Sequence, residues 1–259
     1  MKFKLLNYII LTSILIILGL SFWCNLKWVF IFIPITLWLL IVSISSFHIQ
    51  WNFFLKSISN GNPERNEIVL TFDDGPHPEF TPKVLELLEK YNAKATFFCI
   101  GKNVKANPEI LQLIDFQNHT IGNHSFSHSK KIDFNDKKKW LEEINSTDWE
   151  VQKILGKKPK FFRPPFGVTT PHLTKAVQET NHKVIGWNVR SFDTVSNQTS
   201  EKVVERILKK VKPGSIILLH DHLPGIIPIL EQLLPALQNR NFTFVTVDEL
   251  INYEPYESN

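Results

Sequence analysis

Two cysteines in 259 residues, Cys24 and Cys99, are too few for a disulfide framework or a cysteine zinc cluster. Acidic residues are missing altogether from residues 1 to 56, whose only charges are Lys2, Lys4, Lys27 and Lys56. Setting those four aside, the remaining basic residues equal the 25 acidic ones, so the rest of the chain is neutral. That balance gives no basic footprint for a nucleic acid partner. Internal repeats and low-complexity segments are lacking too, and the apolar content excludes a disordered or collagen-like chain. What the chain does have is 43% apolar residues against 21% charged, enough for one catalytic domain of ordinary size plus a small addition.

The addition is at the start. Leu5 to Leu26 and Trp28 to Leu55 are free of charge, and each run is long enough to cross a hydrocarbon layer of about 30 Å as a helix. The direct reading is two membrane spans, about 5–24 and 28–48, within an anchor at 1–56. Trp23, Trp28 and Trp51 stand where interfacial rings are expected. The first run also fits a secretory signal peptide, with Lys2 and Lys4 as its basic start, but the second run remains an anchor either way. Pro34 can kink the second span without abolishing it.

Asn60-Gly61-Asn62-Pro63 is turn-rich and reads as a linker over 57–65, followed by a domain over 66–252 and a tail over 253–259. Within the domain, strand-like runs are Ile68 to Phe72, Ala95 to Ile100, His119 to Ile121, Phe161 to Arg163, Val184 to Val189, Ser215 to Leu219 and Phe242 to Val247. Helix starts are legible at Thr81-Pro82, Asn107-Pro108-Glu109, Asn135-Asp136, Thr170-Pro171 and Ser200-Glu201. Lys137 to Lys139 reads as the solvated face of a long helix. About seven alternations of strand and helix predict a parallel, barrel-like α/β domain with its chemistry at the C-terminal strand ends.

Four polar constellations stand at such ends. Asp73 and Asp74 follow an apolar run, where the pleat aims consecutive side chains in different directions and allows the two acids separate jobs. His124 and His128 are spaced to meet one cation if the segment makes a helical turn, and a carboxylate such as Asp74 would complete an open three-ligand site. Arg163-Pro164-Pro165-Phe166-Gly167 holds an arginine on a rigid turn, and Leu218-Leu219-His220-Asp221 ends a buried-looking strand.

Thr71-Phe72-Asp73-Asp74-Gly75, His124-Ser125-Phe126-Ser127-His128, Arg163 to Gly167, Asp193 and Leu218-Leu219-His220, in that order, resemble the motifs of the polysaccharide deacetylase family (NodB-homology, carbohydrate esterase family 4). The resemblance spans about Asn66 to Leu250. It implies a distorted (β/α) barrel of about seven strands, here preceded by the two transmembrane helices. It further implies a divalent metal, usually zinc with cobalt or nickel as alternatives, and removal of acetyl groups from N-acetylated sugars of a glycan.

Carried over residue by residue, the resemblance makes Asp73 the general base, His220 the general acid, and Asp74, His124 and His128 the metal ligands. Arg163 would hold Asp73, the backbone N–H of Phe166 would help bind the oxyanion, Leu218 would line the acetyl pocket, and Asp193 would orient His220 or Arg163. The expected partners are an acetylated glycan and the membrane; no protein partner is evident. In the fourth motif Arg190 and Thr194 replace the acid and the tryptophan frequent in the family, which puts the substrate rim in doubt and suits an anionic or differently shaped glycan. A lipid-linked sugar is the alternative substrate, and an idle glycan-binding domain the alternative role. Lys2, Lys4 and Lys56 favour both ends in the cytoplasm, whereas most glycans of the family lie outside, so the side stays open.

Overall fold

The computed structural model describes residues 2–257. Met1 lies outside the described residues, as do Ser258 and Asn259, the end of the segment read as a tail. Helix α1 (Lys2–Cys24) and helix α2 (Phe32–Ser46), the latter preceded by a 3₁₀ turn at Trp28–Ile31, form an antiparallel hairpin. No residue of α1 is buried, and in α2 only Pro34 and Ser45 are. Between the two helices Trp38 Nε1–H donates to Asn7 Oδ1 at 2.8 Å.

The remainder is an α/β domain whose strands are β1 (Ser57–Ile58), β2 (Glu67–Asp73), β3 (Ala95–Cys99), β4 (Thr120–Asn123), β5 (Phe161–Phe162), β6 (Lys183–Ile185), β7 (Val189–Arg190), β8 (Ile216–His220) and β9 (Thr243–Phe244). The helices are α3 (Phe80–Lys90), α4 (Gly101–Ala106), α5 (Pro108–Phe116), α6 (Lys137–Leu155), α7 (Pro171–Thr180), α8 (Ser200–Lys210), α9 (Ile226–Gln238) and α10 (Val247–Ile251). Every strand pair is parallel, in the order β1-β6-β5-β4-β3-β2-β8-β7, with β9 on the lower part of β2.

Gly186, Trp187 and Asn188 alone connect β6, next to one edge, with β7 at the other. Four Cα steps cover roughly 14 Å at full extension, so the sheet must curl until its edges nearly meet. This is an incompletely closed barrel. The pleat then sorts the side chains: Ile68, Leu70 and Phe72 of β2 pack outward with Leu85, Leu88, Leu230 and Leu234 of the helices. Val69 faces inward with Phe98, Ile216 and Leu218. Thr71 and Asp73 share the parity of Val69, as His220 shares that of Leu218, so all three face the interior.

Three features depart from the sequence reading. The run Val184 to Val189 is two strands, because the chain leaves β6 at Gly186 to cross the barrel. The segment read as a linker supplies the edge strand β1, and beyond it Gly61 N–H donates to Gly214 O at 2.8 Å. The last strand stops at Phe244, since Thr246 and Glu249 form a reciprocal capping box that starts α10 and outcompetes the β-branched run.

Candidate active site

Asp73 and His220 lie directly opposite each other in the register of β2 and β8, so one interior surface carries both. Arg163 follows β5 and is fully buried within the barrel. Its Nη1 reaches Asp73 Oδ1 and Thr71 Oγ1, each at 2.7 Å, while Nε and Nη2 donate to the carbonyls of Ile185 (3.1 Å) and Gly186 (3.0 Å). The Gly186 carbonyl is free for this because β6 has just ended. Burial raises the pKa of Asp73, and the Arg163 guanidinium opposes that rise.

His220 Nδ1 stands 2.9 Å from Asp193 Oδ1, and the His220 backbone N–H donates to Asp193 Oδ2 at 2.8 Å. Ser191 Oγ–H donates to the same carboxylate at 2.7 Å. Burial alone would lower the His220 pKa, but the hydrogen bond and charge of Asp193 outweigh it and lift the value to about 9. The imidazole is therefore protonated at neutral pH. Of the two partners expected for Asp193, the fold selects His220.

Asp74, His124 and His128 offer ligand atoms within 4.8 Å of one another. Asp74 Oδ1 is 3.5 Å from His124 Nε2 and 3.3 Å from His128 Nε2, and it is buried with no hydrogen-bond partner among the described residues. His124 Nδ1 donates to the Arg163 carbonyl at 2.7 Å, which leaves the Nε2 lone pair facing Asp74. Burial holds the His124 pKa down to about 3, so this ring is neutral. A carboxylate oxygen without a proton donor beside a neutral imidazole nitrogen fits a divalent cation.

The imidazoles converge without the helical turn that their spacing suggested. Ser125 (φ 64°) and His128 (φ 48°) are left-handed, as are Asp74 (φ 75°) and Phe166 (φ 56°), so strain is concentrated at the site. Glu143 of α6 secures the loop by accepting the N–H groups of Phe126 (2.9 Å) and Ser127 (2.7 Å) and the Ser127 hydroxyl (2.6 Å). Asn123 Oδ1 accepts the Ser125 N–H at 2.9 Å.

Asp73, Asp74, His124, His128 and His220 line one cleft of ≈ 280 Å³, together with Leu218, Trp187, Arg190, Thr194 and His222. Phe166 is half exposed at its edge, with its ring 4.6 Å from that of His128. Gly167, at φ 69°, leaves room for the Trp187 indole, which a Cβ there would strike. Likewise a Cβ at Gly75 would strike the buried carboxylate of Asp221, whose hydroxyl partner is Thr81 at 2.5 Å.

Sequence reasoning missed His222, Trp187 and Glu143. The His222 Nδ1 is 3.4 Å from Asp74 Oδ2, and its place two residues after His220 was a usable signal. Glu143 gave none, being one acid among many on α6.

The polysaccharide deacetylase family model matches residues 60–185. The peptidoglycan-N-acetylglucosamine deacetylase of Bacillus cereus is 34% identical over 195 residues, 74% of this chain and 70% of that one. The chain belongs to the polysaccharide deacetylase family. Similarity extends to the peptidoglycan-N-acetylmuramic acid deacetylase PdaA of Bacillus subtilis, 33% identical with coverage of 74% and 73%. The crystal structure of the Bc1960 peptidoglycan N-acetylglucosamine deacetylase superposes with TM-score 0.73 at 32% identity, covering 77% of this chain and 94% of that one. The curled sheet is thus the fold of this deacetylase family.

Proposed function

We propose that this protein is a membrane-anchored, metal-dependent hydrolase that removes acetyl groups from N-acetylated sugars of a peptidoglycan- or chitin-like glycan and releases acetate. The observation that carries the reading is the pairing of Asp73 with His220 across β2 and β8, beside the convergent Asp74, His124 and His128. These three residues would hold the cation, zinc in this reading and cobalt or nickel as substitutes. Such a cation acidifies a water and polarises the acetyl carbonyl.

Asp73 takes the proton of the attacking water as the new C–O bond forms, and Arg163 aims its carboxylate and opposes the rise in its pKa that burial causes. The backbone N–H of Phe166 binds the oxygen on which negative charge develops. Leu218 lines the space for the acetyl methyl. His220, held protonated by Asp193, gives its proton to the nitrogen as the C–N bond breaks. An amine is a poor leaving group without that proton. The products are acetate and a free amino sugar.

Membrane anchoring is supported by a hairpin that is apolar on all sides and almost unburied, whereas the core helix of a soluble protein would be covered. The test is acetate release by the full chain in phospholipid vesicles on a panel of acetylated glycans. Activity that a chelator removes and zinc restores is expected; chelator-resistant activity would contradict the metal assignment.

A further inference from the structure

Past Ser46 the chain does not become a free tether. The Ser46 carbonyl, at the end of α2, accepts the Thr169 N–H at 2.9 Å, and Gln50 Nε2 donates to the Trp187 carbonyl. Ile49, 4% exposed, belongs to the same interior apolar cluster as Trp187, Val184 and Ile185. Ser57 Oγ donates to the Ile49 carbonyl at 2.9 Å, just where β1 joins the sheet. The start of α1 returns to the same place: Lys2 Nζ donates to the Trp51 carbonyl at 2.5 Å, and the Phe3 ring lies 5.0 Å from that of Phe54. Both ends of the hairpin are built into the domain.

One of these contacts reaches a residue of the cleft and another lies close to its rim. Trp187 lines it, and Thr169 follows the rim residue Phe166 by three positions. Three residues span at most roughly 11 Å, so the rim is fixed close to the end of α2. The headgroup layer outside the hydrocarbon is about 5–8 Å thick on each side. With α2 read as a span, the cleft mouth is held at or just beyond the headgroup layer, and Phe166 stands exposed at its edge. Arg190 lines the same cleft, stacked 4.8 Å over Phe192, and has no carboxylate within 4.0 Å among the described residues. A guanidinium left free at headgroup depth suits a phosphate.

We infer that the cleft takes its N-acetylated sugar from a membrane lipid to which the sugar is joined through phosphate. The inference rests on the deacetylase reading and adds the carrier: a rigid anchor holds the cleft where lipid phosphates lie and keeps it from polymer remote from the bilayer.

The test uses the full chain with zinc in phospholipid vesicles. Acetate release from N-acetylglucosamine joined by diphosphate to a polyprenol in those vesicles is compared with release from soluble chitotetraose and from isolated peptidoglycan strands. The lipid-linked sugar should win by roughly tenfold or more in kcat/KM, and Arg190→Gln should shrink that preference by a similar factor. Equal or faster release from the soluble glycans would overturn the inference and leave the deacetylase reading intact. No acetate from any of the three would remove both. Independently of activity, a nitroxide on Phe166→Cys in a Cys24→Ser background should report headgroup depth. A label as water-accessible as one on a distant helix would overturn the placement.

Discussion

Between Leu5 and Leu55 the hairpin holds one charged side chain, Lys27, and that residue sits in its connecting turn. The interior of the catalytic domain instead encloses Asp73, Arg163, Asp148 and Asp221, each almost without exposure. Several polar side chains of the hairpin are satisfied within it: Ser13, Ser21 and Ser46 donate to carbonyls four residues back, and Trp38 donates to Asn7 across the helices. The barrel admits charge wherever the strand ends and the crossing at Gly186 supply partners. What the difference teaches is that the first segment is apolar where it is exposed, as a membrane span would be, whereas the second buries polar groups where partners are supplied.

The comparison breaks most easily at Arg163. Arg163→Ala leaves a buried carboxylate without its counter-ion and two carbonyls without donors, and should destabilise the domain by about 3–5 kcal/mol, read by denaturant unfolding. Preserved stability would mean that water replaces the guanidinium. In the hairpin the reverse change is the damaging one. Leu15→Arg places a charge near the middle of α1 and should oppose insertion by about 2.5–3.5 kcal/mol. The protein should shift from the membrane to the soluble fraction while the catalytic domain keeps its fold.

A smaller effect concerns His220 and Asp193. Because folding raises the His220 pKa from 6.5 to about 9, the pair contributes stability in full below pH 6.5 and loses it as pH rises through about 9. The alkaline limb of the activity profile should follow the same group. Asp193→Asn removes the outweighing charge, so burial then lowers the pKa and the limb should move to lower pH. An unmoved limb would assign it to another group. Least of all, Trp38→Phe deletes the hydrogen bond to Asn7 and should weaken hairpin association by about 0.6 kcal/mol, measured by a double-mutant cycle with Asn7→Ala.

The alternation of apolar runs and capped helices made the barrel legible, because Ile68 to Phe72 and Ser215 to Leu219 are strands whatever their neighbours. The boundary between β6 and β7 was not, since Gly186-Trp187-Asn188 continues an apolar run and breaks only to cross the barrel. The two residues of β1 carry too little pattern to separate them from a linker. Asp73, Asp74, His124, His128, Arg163, Leu218 and His220 were legible as strand-end motifs and Asp193 only through the family resemblance, and one cleft or its floor gathers them. Glu143, Trp187 and Gln50 act through contacts distant in sequence, which no local spacing encodes. The left-handed backbone at Asp74, Ser125, His128 and Phe166 was equally hidden, because none of the four is glycine.

The central claim is that two adjacent aspartates divide the work, Asp73 moving a proton and Asp74 holding the cation. The most direct measurement is kcat for acetate release together with bound zinc on the same samples of Asp73→Asn and Asp74→Asn. Asp73→Asn should lower turnover by roughly 10² to 10⁴-fold with zinc retained, whereas Asp74→Asn should lose the zinc. Wild-type turnover in Asp73→Asn, or zinc lost from that variant and kept in Asp74→Asn, would contradict the account.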